Sequence, residues 1–75
     1  MKELDAVVLT RDLPEHGLEA GDLGAVVHGY EGADAFEVEF VSAEGRTLAL
    51  VTLTSADVRP LQGAEILHAR KLASA

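Results

Sequence analysis

The sequence predicts an all-β protein, and three observations carry that reading. Apolar residues recur at every second position within short segments, as on a strand with one buried face. The segments are separated at regular intervals by glycine, proline, aspartate and serine, the residues that turn a chain. The clearest segment, AFEVEFV at residues 35–41, sets Phe36, Val38 and Phe40 on one face against Glu37 and Glu39 on the other.

Each element follows from its own residues. AVVLTRDL at 6–13 reads as a first strand, stopped by Pro14, whose fixed φ and missing N–H end regular pairing. PEHGLEAGD at 14–22 is a loop, and LGAVVHGY at 23–30 is a second strand. EGAD at 31–34 connects tightly to the third strand, 35–41, and SAEG at 42–45 is a hairpin turn that wants Gly45 in a left-handed conformation. RTLALVTLT at 46–54 returns as the fourth strand. It is apolar on both faces, with Leu48 and Leu50 alternating with Ala49, Val51 and Leu53, which calls for a coiled strand serving two sheets or a second subunit over one face. Thr54 or Ser55 then caps a one-turn 3-10 helix through Ala56 and Asp57, and residues 58–61 form a short closing strand. Beyond Gly63, AEILHARKLASA spaces Ile66, Leu67, Arg70 and Lys71 as on a short C-terminal helix; a flexible tail is the alternative.

Five short strands with a helical turn before the last describe a small SH3-like barrel over residues 1–62, with 63–75 appended as helix or tail. Phe36, Phe40, Val26, Val38, Leu48, Leu50 and Val8 or Leu9 are its expected core, and its sheet edges are expected to be closed. An open meander that closes only on dimerisation is the next reading.

Composition bounds the functions. At 75 residues there is room for one domain. A domain of that size buries only about 60% of its unfolded surface, so a partner subunit is an expected source of stability. Hydrophobic residues at 48% and charged residues at 25% describe a chain that folds rather than a disordered one. Thirteen carboxylates against six cations give a net charge of −7, which repels phosphate backbones and anionic lipid headgroups, so neither nucleic acid nor a membrane is an expected partner. The absence of cysteine removes disulfides, thiolate metal sites and thiol nucleophiles. MKELDAVVLT has no apolar run of signal-peptide or membrane length, and the expectation is a soluble, cytoplasmic protein.

The residues that resemble chemical sites have structural explanations. In GLEAGDLGAVV, Gly21 and Asp22 suit a turn and Gly24 suits close backbone approach. Phosphate-cradling glycine loops follow a strand and open a helix, whereas this one opens a strand. His16, His28 and His68 lack the short spacing of zinc motifs, and no metal or other cofactor is expected. Glu37 and Glu39 share a face by alternation alone, and Ser42 and Ser55 sit in turns rather than in a nucleophile elbow. A barrel this small also leaves no interior substrate pocket of ~300 Å³ or more. The sequence therefore reads as non-catalytic, with no small-molecule substrate evident.

Leu13-Pro14-x-x-Gly17-Leu18, Gly21-Asp22-x-Gly24-x-Val26-Val27, Glu37-Val38-Glu39-Phe40 and Asp57-Val58-Arg59-Pro60 occur in that order, with Gly45 and Leu53 between the last two. In this respect residues 7–60 resemble the small bacterial proteins grouped as domain of unknown function 4926. The resemblance implies an SH3-like barrel and no established activity. A looser similarity, in the Leu-Pro loop and the Gly-Asp turn, runs to the barrel of the nitrile hydratase β subunit and its accessory proteins, which would make the chain at most an assembly module.

The expected function is that of a protein-interaction module that self-associates or binds the product of a neighbouring gene, as an antitoxin-like or accessory subunit. Leu18, Tyr30, Val51 and Leu53 are its candidate interaction surface, with core filling as their alternative role. Nucleic-acid binding is the second class, and it lacks a basic groove with exposed aromatics. The third is a subunit of a multimeric enzyme, with His28, Tyr30, Glu39 and Arg46 meeting across an interface.

Overall fold

The computed structural model describes residues 1–72 and is all-β. β1 (Ala6–Leu9), β2 (Leu23–Gly29), β3 (Phe36–Val41), β4 (Thr47–Leu53) and β5 (Val58–Pro60) form one antiparallel sheet in the order β4-β3-β2-β1-β5. β1 to β4 meander through successive neighbours, and β5 returns beside β1. β4 and β5 are the two edges, and no ladder joins them. The sheet is thus not closed into a barrel, contrary to the expectation of closed edges.

β1 stops at Leu9 rather than at residue 13 because its next groups are taken elsewhere. The Thr10 N–H bonds the Asp57 carbonyl at 2.7 Å, its hydroxyl bonds the Ala56 carbonyl at 2.8 Å, and the Gly21 N–H takes the Leu9 carbonyl at 2.8 Å. The chain then enters a tight loop. Leu13 and Leu18 exchange backbone hydrogen bonds of 2.9 and 3.1 Å around a 3-10 turn, Pro14–His16, with Gly17 left-handed at its end. The 3-10 turn therefore lies in the first loop, not before the last strand. Residues 55–57 form a plain turn, whose donors Asp57 ties down: its Oδ2 accepts from the Thr54 N–H at 2.9 Å, and its Oδ1 accepts from Arg11 Nε at 2.7 Å.

The core lies on one face of the sheet, where Val7, Leu9, Val26, Val38, Phe40, Leu53 and Val58 pack with Leu13 and Leu18. Pairing register decides the face. Phe36 opposes Leu53, Val38 opposes Val51 and Phe40 opposes Ala49, so these β4 residues share the core side, and Phe36, Ala49 and Val51 pack against the cluster. The β4 residue Leu50 falls on the other side and is 56% exposed, so its expected place in the core is corrected by one step of alternation. Leu48, left unpaired by the bulge between Phe40 and Val41, is half-buried and lies outside the core cluster. Burial on both faces belongs instead to β1, flanked by two strands, whose Val7, Val8 and Leu9 are all buried.

Gly24 is fixed by close approach. A Cβ there would stand 2.7 Å from Cγ1 of Val38 and 2.9 Å from Cε1 of Phe40, inside the space those core side chains fill. Gly45 has φ +85° at the β3–β4 hairpin, as the turn demands.

Candidate functional site: a grooved face beside the Asp22 turn

After β5 the chain is turned by a bidentate pair, Arg59 Nη1 and Nη2 to the Glu65 carboxylate at 2.8 and 2.6 Å. Glu65 also accepts the Gln62 N–H at 2.7 Å. These donors, the guanidinium first, hold the Glu65 carboxyl at about 2, below the ordinary range. Residues 65–72 then run back across the protein without joining a strand or forming a helix. The expected C-terminal helix is absent among the described residues, and residues 73–75 lie outside them. Helical spacing of Ile66, Leu67 and Arg70 is overridden here by a single tertiary anchor.

That anchor is Arg70. Its Nε and Nη2 donate to the two carboxylate oxygens of Asp22 at 2.8 and 2.7 Å, and Nη2 also bonds the Gly17 carbonyl at 3.0 Å. Glu19 stands 3.5 Å from Nη1. Asp22 is prepared for this role by its turn, where Oδ2 accepts the Glu19 N–H at 2.8 Å and Gly21 adopts φ +96°, a conformation costly to a residue with a Cβ. The Arg70 bonds, assisted by the Glu19 amide, push the Asp22 carboxyl below its usual range against the opposing effect of burial.

The tail passes over a grooved face between the Leu13–Leu18 loop and the β3–β4 hairpin. Two adjoining grooves of about 730 and 600 Å³ open to solvent there and share Leu18, Leu48, Arg70 and Leu72 in their walls. Asp12, Glu19 and Arg46 line the first; Leu23, Phe40 and Val41 line the second. Both open at the surface, with Leu18 and Phe40 of the core cluster at the base of their walls. The tail fills them incompletely: Arg70 and Leu72 are half-buried, while Ile66 is 93% and Leu67 64% exposed.

The expected surface residues divide. Leu18 is 3% and Leu53 2% exposed, so both serve the core, although Leu18 also walls both grooves. Val51 packs half-buried against the core. Tyr30 alone is exposed, at 44%, stacked edge-on against His28 with ring centroids 4.7 Å apart. The structure does not bring His28, Tyr30, Glu39 and Arg46 together: His28 opposes Glu37 and stacks on Tyr30, Glu39 accepts from the Thr47 hydroxyl at 2.6 Å, and Arg46 lines the first groove. Glu37 likewise accepts from Thr52, so the paired carboxylates are held by cross-strand threonines. Sequence reasoning missed Asp22 and Arg70 as partners because 48 positions separate them.

Among the described residues, no group of three or more metal-ligating side chains converges, and no helix is long and apolar enough to cross a membrane. Three of the six cations, Arg11, Arg59 and Arg70, pair internally with Asp57, Glu65 and Asp22, which cancels charge one for one and leaves the net charge at −7.

The strand order and the loop chemistry explain the motifs noted above, and the comparison with protein families agrees with them. Residues 3–60 match the family described as Domain of unknown function (DUF4926). The chain belongs to that family, which assigns it no activity. No curated protein and no solved structure matches the chain.

Proposed function

We propose that the chain is a non-catalytic protein-interaction module of the cytoplasm that binds a basic protein partner through the grooved face beside Asp22. One observation carries the reading: an open, partly apolar groove pair is bordered by Asp12, Glu19 and Asp22, with Arg46 and the tail's Arg70 as its cations, on a chain of net charge −7. Apolar walls supply affinity on burial, and the surrounding carboxylates accelerate encounter with a cationic surface. The same charge opposes nucleic acid and a second copy of this chain alike. An accessory or antitoxin-like role, neutralising a basic protein, fits such a surface.

The test is gentle affinity purification of the tagged chain from its own cells at two salt concentrations, followed by native mass spectrometry. A stoichiometric basic companion, retained better at low salt, is the expected result. Recovery of a bare monomer, or of nucleic acid, would contradict the proposal.

A further inference from the structure

The Arg70 contact is more than a surface ion pair. Asp22 receives the guanidinium with both oxygens, the Gly17 carbonyl receives a third N–H, and Glu19 stands alongside, so the site matches the flat, forked shape of arginine rather than a point charge. Arg70 comes from a segment beyond the family match, while every acceptor lies within it. The socket belongs to the domain, and the arginine in it belongs to an appendage.

The appendage is a poor fit for the rest of the surface. Only Arg70 and Leu72 of residues 66–72 are half-buried, and Leu23 and Val41 on the groove wall remain exposed at 37% and 51%. The grooves stay open to solvent with the tail itself as one wall, Arg70 and Leu72 in both and Leu67, His68 and Ala69 in the second. An occupant with larger apolar flanks would cover more of that wall than this tail does.

We propose that the Asp22–Gly17–Glu19 socket and its adjoining grooves are a docking site for an extended, arginine-bearing segment of a partner protein, and that the chain's own tail occupies it in cis until such a segment displaces it. This rests on the interaction reading above and names its partner chemistry. Charge complementarity selects the arginine; apolar residues flanking it select the groove. The tail then acts as an intramolecular competitor, lowering apparent affinity by the fraction of molecules in which the socket is free.

The probe is a fluorescent peptide of the tail's own residues 64–72, AEILHARKL, added in trans to the full-length chain and read by anisotropy. Arg70→Ala vacates the socket, and the variant is expected to bind the peptide about tenfold tighter than the natural chain, as when cis occupancy is about nine-tenths. Adding Asp22→Asn, which keeps the size of the side chain and an oxygen for its turn, is expected to remove that gain. Replacing the arginine within the peptide by alanine should do the same with no change to the protein. Equal binding by the natural and Arg70→Ala chains, or binding indifferent to the peptide arginine, would overturn the proposal. So would a natural chain that is dimeric in native mass spectra and becomes monomeric on Asp22→Asn, since a second copy would then fill the groove. If a basic companion still copurifies with the Asp22→Asn chain, the interaction reading stands and this docking site falls; if the peptide binds as expected but no companion is found, the socket's choice of arginine stands and the partner protein falls.

Discussion

Arg70 and Asp22, 48 positions apart, form a two-point ion pair that fastens the C-terminal segment to the turn before β2. Nothing else in residues 66–72 is bonded as firmly, and both side chains keep some contact with water. A pair in that setting contributes on the order of 1 kcal/mol. Arg70→Ala is therefore expected to lower the melting temperature by only a few degrees, while amide exchange and proteolysis in residues 64–72 rise sharply. Cooperative unfolding of the whole domain by this variant would show the tail to be part of the core.

Gly24 should tolerate no side chain. Its missing Cβ makes room for Val38 and Phe40, so Gly24→Ala is expected to cost about 1–3 kcal/mol by denaturant titration through overpacking. Gly63 has open space around it, and Gly63→Ala should stay within about 0.5 kcal/mol.

The two faces of β4 should respond oppositely. Leu53→Ala removes a core side chain and is expected to cost about 2–5 kcal/mol, a large share of the stability of so small a domain. Leu50→Ala, on the open face, should be nearly neutral. Val51→Glu places a charge against Val38 and should destabilise the fold rather than only weaken association.

Acid should loosen the turns. The carboxyls of Asp22, Asp57 and Glu65 are all held low, chiefly by hydrogen bonds from Arg70, Arg11 and Arg59 respectively. A depressed carboxyl adds stability above its unfolded value of roughly 4 and loses it as pH falls through the folded value. Unfolding free energy should then be flat above about pH 5 and decline toward pH 2, where Glu65 titrates. In Arg70→Ala the Asp22 carboxyl should titrate higher than in the natural chain, as followed by side-chain carboxyl NMR signals.

Local patterns carried most of the fold. β2 and β3 are legible because alternation and turn residues agree, and the glycines at 21, 24 and 45 do what their positions suggest. β4 was ambiguous because an apolar residue occupies nearly every position, and only its register with β3 reveals that Ala49, Val51 and Leu53 face inward. Leu18 looked like a loop residue because its burial depends on a loop that closes on Leu13. Asp22 reads as a turn residue and Asp57 as part of a 3-10 turn, and their arginine partners are invisible to periodicity. The tail shows the limit most clearly: its spacing suits a helix, and one ion pair formed across the molecule holds it extended.

The most direct test of the grooved face is amide chemical-shift mapping on the full-length Arg70→Ala chain titrated with the 64–72 peptide. Perturbations concentrated at Gly17, Leu18, Asp22, Val41 and Leu48 are the predicted result. Shifts centred away from the grooves, at Glu37, Glu39, Leu50 and Thr52, or none at saturating peptide, would contradict the account.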